Sequence, residues 1–410
     1  MSREAGFRNL ALALRVPGFG WYVGGSVLGN LGVWFNRISM SWLAWDVTHS
    51  TAWLGTIAMV DLAISLVTGP FAGAITDRWN QVYLAALAQV AWAVLAAVLA
   101  LLVFAGLASL PVVLAAAALS GSVSTLMQPV RSSLIAALVP RDLSATAYAT
   151  DSMCFHLSRF VGPVVAGAVI AAAGIAASFA ANAVIALAAL LTLWPLMGFK
   201  PPQRSAGASL VADIIEAYAY VWRHPALGPM MITGILTAAS GRGLLDLLPG
   251  YADHWYESGA TGLSWLVGAG GVGATLMSFW LTRGTPLPGI VTRIALWTAC
   301  AGVALLVFAL HGNFTFALAC LLVLGIAMQA SAVLNFTAIQ FVVDDDKRGR
   351  VIGLMGIIWR GAPALGAFIA GTVAEWAGLS WPAIGLGAVS LAVGLWMLSR
   401  RKQLSAGLGG

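Results

Sequence analysis

Eight ionisable residues lie inside long apolar stretches of this chain: Arg37, Asp61, Asp151, His156, Arg159, Arg242, Asp246 and Arg360. A charged side chain at membrane depth is costly, and it usually lines a polar pathway for a solute or a proton. Arg37 and Asp61 sit at about equal distances, counted along the chain at ~1.5 Å per residue, from a polar connection near 49. Two antiparallel neighbouring helices would bring them to one depth, either as a static ion pair or as a protonatable carboxylate gated by its arginine. Arg242 and Asp246 are one helical turn apart, among Gly241, Gly243 and Pro249, which suits substrate contact or gating, or an intrahelical neutralising pair. Asp151, His156 and Arg159 fall within a wedge of roughly 140° on one helix. His156 is either a proton carrier titrating near neutrality or a satisfied hydrogen-bonding residue. If the arginines face one cavity, the solute they suit is anionic or chelating.

The elements that must hold these residues are membrane helices. The chain has 410 residues, 60% hydrophobic and 9% charged, against about 25% charged in a soluble protein. Lipid must therefore cover much of its surface. Breaking the chain at its charged and Gly/Pro/Asn-rich connections leaves twelve apolar spans, at roughly 19–46, 52–76, 82–106, 110–137, 145–173, 175–197, 226–250, 260–282, 288–311, 314–342, 350–374 and 380–399. The first follows a basic N-terminus without a small-residue cleavage site, which does not read as a signal peptide.

Apart from the four arginines in mid-span, every Lys and Arg falls at one face of this array, with Arg131 just inside it. The opposite connections, near 47–51, 107–109, 174, 251–259, 312–313 and 375–379, contain Asp253, Glu257 and Glu375 but no Lys or Arg. By the positive-inside rule both termini are cytoplasmic, in a plasma-membrane or bacterial inner-membrane protein. Trp42, Trp45, Trp53, Trp255, Trp376 and Trp381 cluster at the opposite ends, as interfacial anchors. The run DDDKRGR (344–350) reads as a solvated, topology-fixing loop or a gate contact.

The basic residues punctuate apolar runs and form no patch, so a nucleic-acid partner is not expected. Cys154, Cys300 and Cys320 lie in apolar spans as small core residues, away from any disulfide or zinc spacing, and neither a metal nor a cofactor is expected. Nor is there a Walker-type loop, an HExxH or a GxSxG that would point to ATP drive or catalysis.

The sequence divides into a six-helix bundle at 1–197, a cytoplasmic linker at 198–225 and a second six-helix bundle at 226–410. Within the linker Leu210, Val211, Ile214, Ile215, Tyr218, Val221 and Trp222 share one face opposite Asp213 and Glu216, as in a helix lying on the membrane surface. A weak internal repeat supports two halves. Pro163 follows Arg159 by four residues, Pro363 follows Arg360 by three, and the two prolines are 200 residues apart.

The segment GPFAGAITDRWNQ, with Gly73, Asp77 and Arg78, resembles the Gly-x-x-x-Asp-Arg loop of the major facilitator superfamily. That family holds the acid in a state-dependent contact, and Gly73 would permit close helix packing. Gln81 and Val82 replace the basic residues that usually follow, which implies a weaker latch. Gly162, Pro163 and Gly167 resemble the Gly-Pro motif of export-type facilitators, with Ala166 in place of a glycine. The longer run MQPVRSSLIAALVPRDLSATAY…HLSRFVGPVVAG is similar to the transmembrane secretion effector branch, which includes siderophore and drug exporters. Pro129, Arg131, Val139, Pro140, Arg159, Gly162 and Pro163 match it, and Arg37, Asn335, Gln340, Arg348 and Arg350 also fit.

Asp151 and His156 stand where that branch usually has Asn, and Asp61 where it usually has Gln. LSGSVSTLM in the fourth span lacks the arginine of many proton/drug antiporters. The resemblance implies an all-α membrane protein with twelve transmembrane helices in two six-helix bundles, acting as a monomer. It further implies proton-coupled export of a small molecule by alternating access, without enzymatic activity. Lipid translocation, a multipass enzyme and a non-transporting sensor are the alternatives.

Overall fold

The computed structural model describes residues 12–140, 143–199, 210–281, 288–344 and 347–407, and every element among them is helical. We number the helices α1 Phe19–Thr48, α2 Thr51–Arg78, α3 Gln81–Phe104, α4 Leu110–Leu138, α5 Ser144–Leu193, α6 Leu210–Arg223, α7 Leu227–Gly250, α8 Gly259–Leu281, α9 Ile290–Leu310, α10 Phe314–Val342, α11 Arg348–Ala377, α12 Ser380–Ser399 and α13 Arg401–Ala406. Ten of these are long and apolar enough to cross a bilayer. A further candidate, α1, has the length but carries Asn30, Asn36 and Arg37 and is less apolar.

Helix α5 accounts for two crossings. As a single rod its 50 residues would extend about 75 Å, more than twice the ~30 Å hydrocarbon core. Gly174 breaks it with φ +84° and ψ 174°, a conformation open to glycine because it lacks a Cβ. The way each limb meets α1 shows that the chain reverses there. Before the break, Ser158 Oγ donates to Val27 O, and Gly162 lies against Leu31 and Trp34, so the numbers rise together. After it, Ser178 pairs with Ser39 and Asn182 with Asn36, so they run in opposite senses. With α1 and the two limbs of α5, the described helices supply twelve crossings.

The chain folds as two compact units. The first comprises Met1–Val47 and Val60–Ala206, and the second Thr48–Met59 and Gly207–Gly410. In the first, Phe19, Val82, Leu134, Ile135 and Leu193 form a buried cluster. In the second, Leu227, Met230, Ile294, Leu334, Ile339 and Val351 do so. Small residues set the closest approaches, as expected where lipid removes the hydrophobic drive between helices. A Cβ at Gly162 of α5 would lie 2.8 Å from Trp34 Cβ of α1, and one at Gly366 of α11 would lie 2.5 Å from Ala239 O of α7. Each half thus packs its first helix onto its fifth through a glycine near Pro163 or Pro363.

Two packing expectations are corrected. Trp53, Trp255, Trp376 and Trp381 are exposed at the Lys/Arg-poor ends, but Trp42 and Trp45 are buried, because that side of α1 faces protein. No described atom lies within 4 Å of a Cβ built on Gly73, so among the described residues that glycine makes no close helix contact.

Of the apolar face expected in α6, Val221 is buried and Tyr218 and Trp222 are exposed, while the side chains of Leu210, Val211, Ile214 and Ile215 lie outside the described residues. Polar contacts hold this helix on the second unit. Tyr220 OH donates to Asp344 Oδ2, the Lys347 ammonium lies 4.6 Å from the Tyr220 ring, and Arg350 pairs with Glu216 at 2.8 Å.

Candidate functional site

The first unit gathers polar side chains from three helices around the Asp151 carboxylate. Tyr22, Ser26 and Asn30 follow one another at four-residue spacing along α1, so they share a face. Tyr22 OH donates to Asp151 Oδ1 at 2.9 Å, and Ser26 Oγ donates to the same oxygen at 2.6 Å. From α4, Arg131 Nη2 donates to Asp151 Oδ2 at 2.7 Å while Nη1 donates to Asn30 Oδ1 at 2.7 Å. Asn30 Nδ2 donates to Ser26 Oγ at 3.2 Å and closes the ring.

These short charge-assisted bonds are the strong kind, and they offset the cost of holding a carboxylate away from water. The pair is not sealed, however. The Arg131 and Asp151 side chains remain 18% and 16% exposed. A cavity of ≈ 380 Å³ opens beside them, lined also by Gln128, Ser132, Ile135 and Tyr148. The buried Arg131 Nε has no hydrogen-bond partner among the described residues. A charge pair made by separate helices and reachable from a cavity is suited to exchange, because a proton or an anionic solute can compete for either member.

About two helical turns further along α5, a second group forms. The Arg159 guanidinium lies 5.5 Å from the Trp34 ring centre, and Phe155 meets the same ring edge-on at 5.8 Å. Arg37 is near enough for its charge to act on Arg159. Like charges near each other repel, and an anion beside them would relieve that repulsion. The aromatic face stabilises the guanidinium in the meantime.

The expected site residues are thus placed in several groups. Asp151 is held by α1 and α4, whereas Arg159 lies with Trp34. Asp61 packs on α4, where a Cβ at Gly121 would come within 2.8 Å of its Oδ1. Asp246 is buried in α7 of the second unit. One turn before it, a Cβ at Gly243 would lie 2.9 Å from the Gly366 carbonyl carbon of α11. Arg78 is exposed, and Gly162, Pro163, Gly167 and Pro363 are buried. The side chains of Asp77, His156, Arg242 and Arg360 lie outside the described residues. Among the described residues, no group of three His, Cys, Asp or Glu is placed to hold a metal ion.

By sequence alone Arg131 marks the edge of the basic face and matches the resembled branch, while Tyr22, Ser26 and Asn30 carry no motif. Their signal was present as three polar residues at four-residue spacing on an apolar helix, opposite an Asp at a position where the resembled branch usually has Asn.

The model of the transmembrane secretion effector family matches residues 11–406. The staphyloferrin A transporter of Staphylococcus aureus is 25% identical over 390 residues, 94% of this chain and 97% of that protein. An enterobactin exporter of Escherichia coli is 26% identical over 223 residues, 53% of this chain and 52% of that protein. Among solved structures, a POT family transporter in complex with 5-aminolevulinic acid superposes with a TM-score of 0.75 at 13% identity, covering 94% of this chain and 96% of that one. A bacterial homologue of the human lysosomal transporter Spinster does so with a TM-score of 0.70 at 16% identity, covering 96% and 97%.

Proposed function

The chain belongs to the transmembrane secretion effector family of major facilitator transporters, and on that premise we propose that it exports an anionic small molecule, of siderophore or drug-like type, in exchange for protons. It is a multi-pass membrane transporter with siderophore-transporting relatives. The single observation that carries the finer reading is the Arg131–Asp151 pair. It is a cation and a carboxylate on different helices, bonded at 2.7 Å and open to a cavity.

In this mechanism Arg131 and the ionised Asp151 part to take the solute from the cytoplasm, Arg131 holding its anionic group while the Asp151 carboxylate accepts from its hydroxyls. A proton taken up by Asp151 from the far side removes that acceptor and frees the solute, and loss of the proton to the cytoplasm restores the pair. Arg37, Arg159 and Trp34 provide the next anion-attracting station. Asp61, His156, Arg242, Asp246 and Arg360 line the remaining pathway, and Gly73, Asp77, Arg78, Gly162, Pro163, Gly167 and Pro363 serve the change of conformation. The bundles at 1–197 and 226–410, joined by the linker at 198–225, rock about the site in alternating access. Both termini face the cytoplasm, and the transporter works as a monomer.

The test uses everted membrane vesicles with an acidic lumen. Addition of a hydroxycarboxylate or catecholate chelator should collapse the lumenal acidity while the chelator accumulates unchanged. Proton release without accumulation, or transport insensitive to the gradient, would overturn the coupling. A positive lipid-flip assay with no chelator movement would favour lipid translocation instead.

A further inference from the structure

Glu375 stands in the last turn of α11, where the partial negative charge of the helix terminus disfavours an acid. Its carboxylate is turned to the opposite kind of helix end. Oε2 accepts from Ser50 Oγ at 2.9 Å, Thr51 N at 3.0 Å, Thr51 Oγ1 at 3.1 Å and Ala52 N at 3.3 Å. These groups form the N-terminus of α2, whose first backbone N–H groups have no partner within their own helix. The acid is unfavourably placed on its own helix and favourably placed on this one.

Two glycines allow the contact. A Cβ at Gly55 would lie 2.5 Å from Ala367 O and 2.7 Å from Phe368 Cα, and one at Gly371 would collide with Thr51 O. The first two turns of α2 therefore touch the backbone of α11. The Thr51 hydroxyl also reaches Gly371 O at 3.0 Å, and with one proton it can serve only one acceptor at a time. Through this packing Thr48–Met59 groups with the second unit, while α2 from Val60 onward groups with the first.

We propose that Glu375 is a releasable clasp that holds the opening turns of α2 on α11, and that the transport cycle passes through a state in which the clasp has let go. The clasp sits at the Lys/Arg-poor end of both helices, and its carboxylate is exposed. Water can therefore solvate the released carboxylate and helix end, so opening leaves no buried group unsatisfied. The glycine-lined surfaces then separate without remaking side-chain packing. The place of the clasp in the cycle rests on the alternating-access reading, whereas its hold on α2 does not.

The experiment measures the distance between spin labels on Trp53→Cys in α2 and Trp381→Cys in α12, in the full-length protein in nanodiscs. The unsubstituted chain labelled in parallel gives the background from the partly exposed Cys300, while Cys154 and Cys320 are buried. The parent pair should give a dominant short distance. Glu375→Ala should raise the ratio of longer to shorter distances about fivefold, the scale of losing a helix N-cap. Glu375→Gln keeps the shape and one acceptor oxygen and should give a smaller rise in the same direction. It also covers the case in which the alanine variant does not purify folded. Unchanged distributions in the folded variants would overturn the clasp. Altered distances with unchanged flux would uphold the clasp and remove it from the transport cycle.

Discussion

Arg131 and Asp151 are 20 residues apart in sequence, lie on consecutive helices, and meet at 2.7 Å with their charges aligned. The acid at 151 is matched by a cation one helix earlier, and α1 supplies the hydroxyls that occupy its other oxygen.

The pair can be broken from the acidic side. Asp151→Asn leaves Arg131 without its anion in a largely buried setting, which should cost about 3 kcal/mol of stability and abolish proton-linked flux. Adding Arg131→Gln should recover much of the melting temperature in detergent but none of the flux. Recovery of both would make the pair a structural element alone.

Asp61 should be required for coupling. Asp61→Asn keeps the shape of the side chain, so folded yield should match the parent while pH-driven export falls at least tenfold. Unchanged flux would remove Asp61 from the proton pathway. Gly121→Val, whose Cβ would enter the space of Asp61 Oδ1, should reproduce the defect without altering any charge.

Gly162 should tolerate no larger residue. The added Cβ would lie 2.8 Å from Trp34 Cβ and 3.2 Å from Leu31 O, and overpacking of this kind costs about 1–3 kcal/mol or more. Gly162→Leu should lower the melting temperature and the folded yield. Gly73→Ala, with no described atom within 4 Å of its Cβ, should leave both unchanged.

Glu216→Ala provides a contrast. The Glu216–Arg350 pair has side chains 51% and 39% exposed, and exposed ion pairs contribute little. Its loss should leave the melting temperature within experimental error of the parent.

Much of the architecture was legible because hydropathy is local and additive. A run of about 20 apolar residues must be buried in lipid wherever it occurs, and Asp61, Asp151 and Asp246 were conspicuous by residue type alone. Some details were not legible. Trp42 and Trp45 have the composition of interfacial anchors, yet their side of α1 is covered by protein. Gly73 has the composition of a contact residue, yet no described atom lies near it. Both depend on which side of a helix meets a neighbour, and a weakly amphipathic membrane helix barely records that.

By itself, then, the sequence determined the helical membrane class, the spans, the basic face and the set of residues too polar for lipid. Only the tertiary structure decided their partners. Asp151 went to Arg131, Tyr22 and Ser26, while Arg159 went to the Trp34 ring. Glu375 went to the start of a helix more than 320 residues earlier in the chain. The reason is geometric. A side chain's depth can be counted along the chain, but its partner depends on the rotation and spacing of packed helices. Those are set by single small residues such as Gly55, Gly162 and Gly371, whose effect appears only once the neighbouring helix is in place.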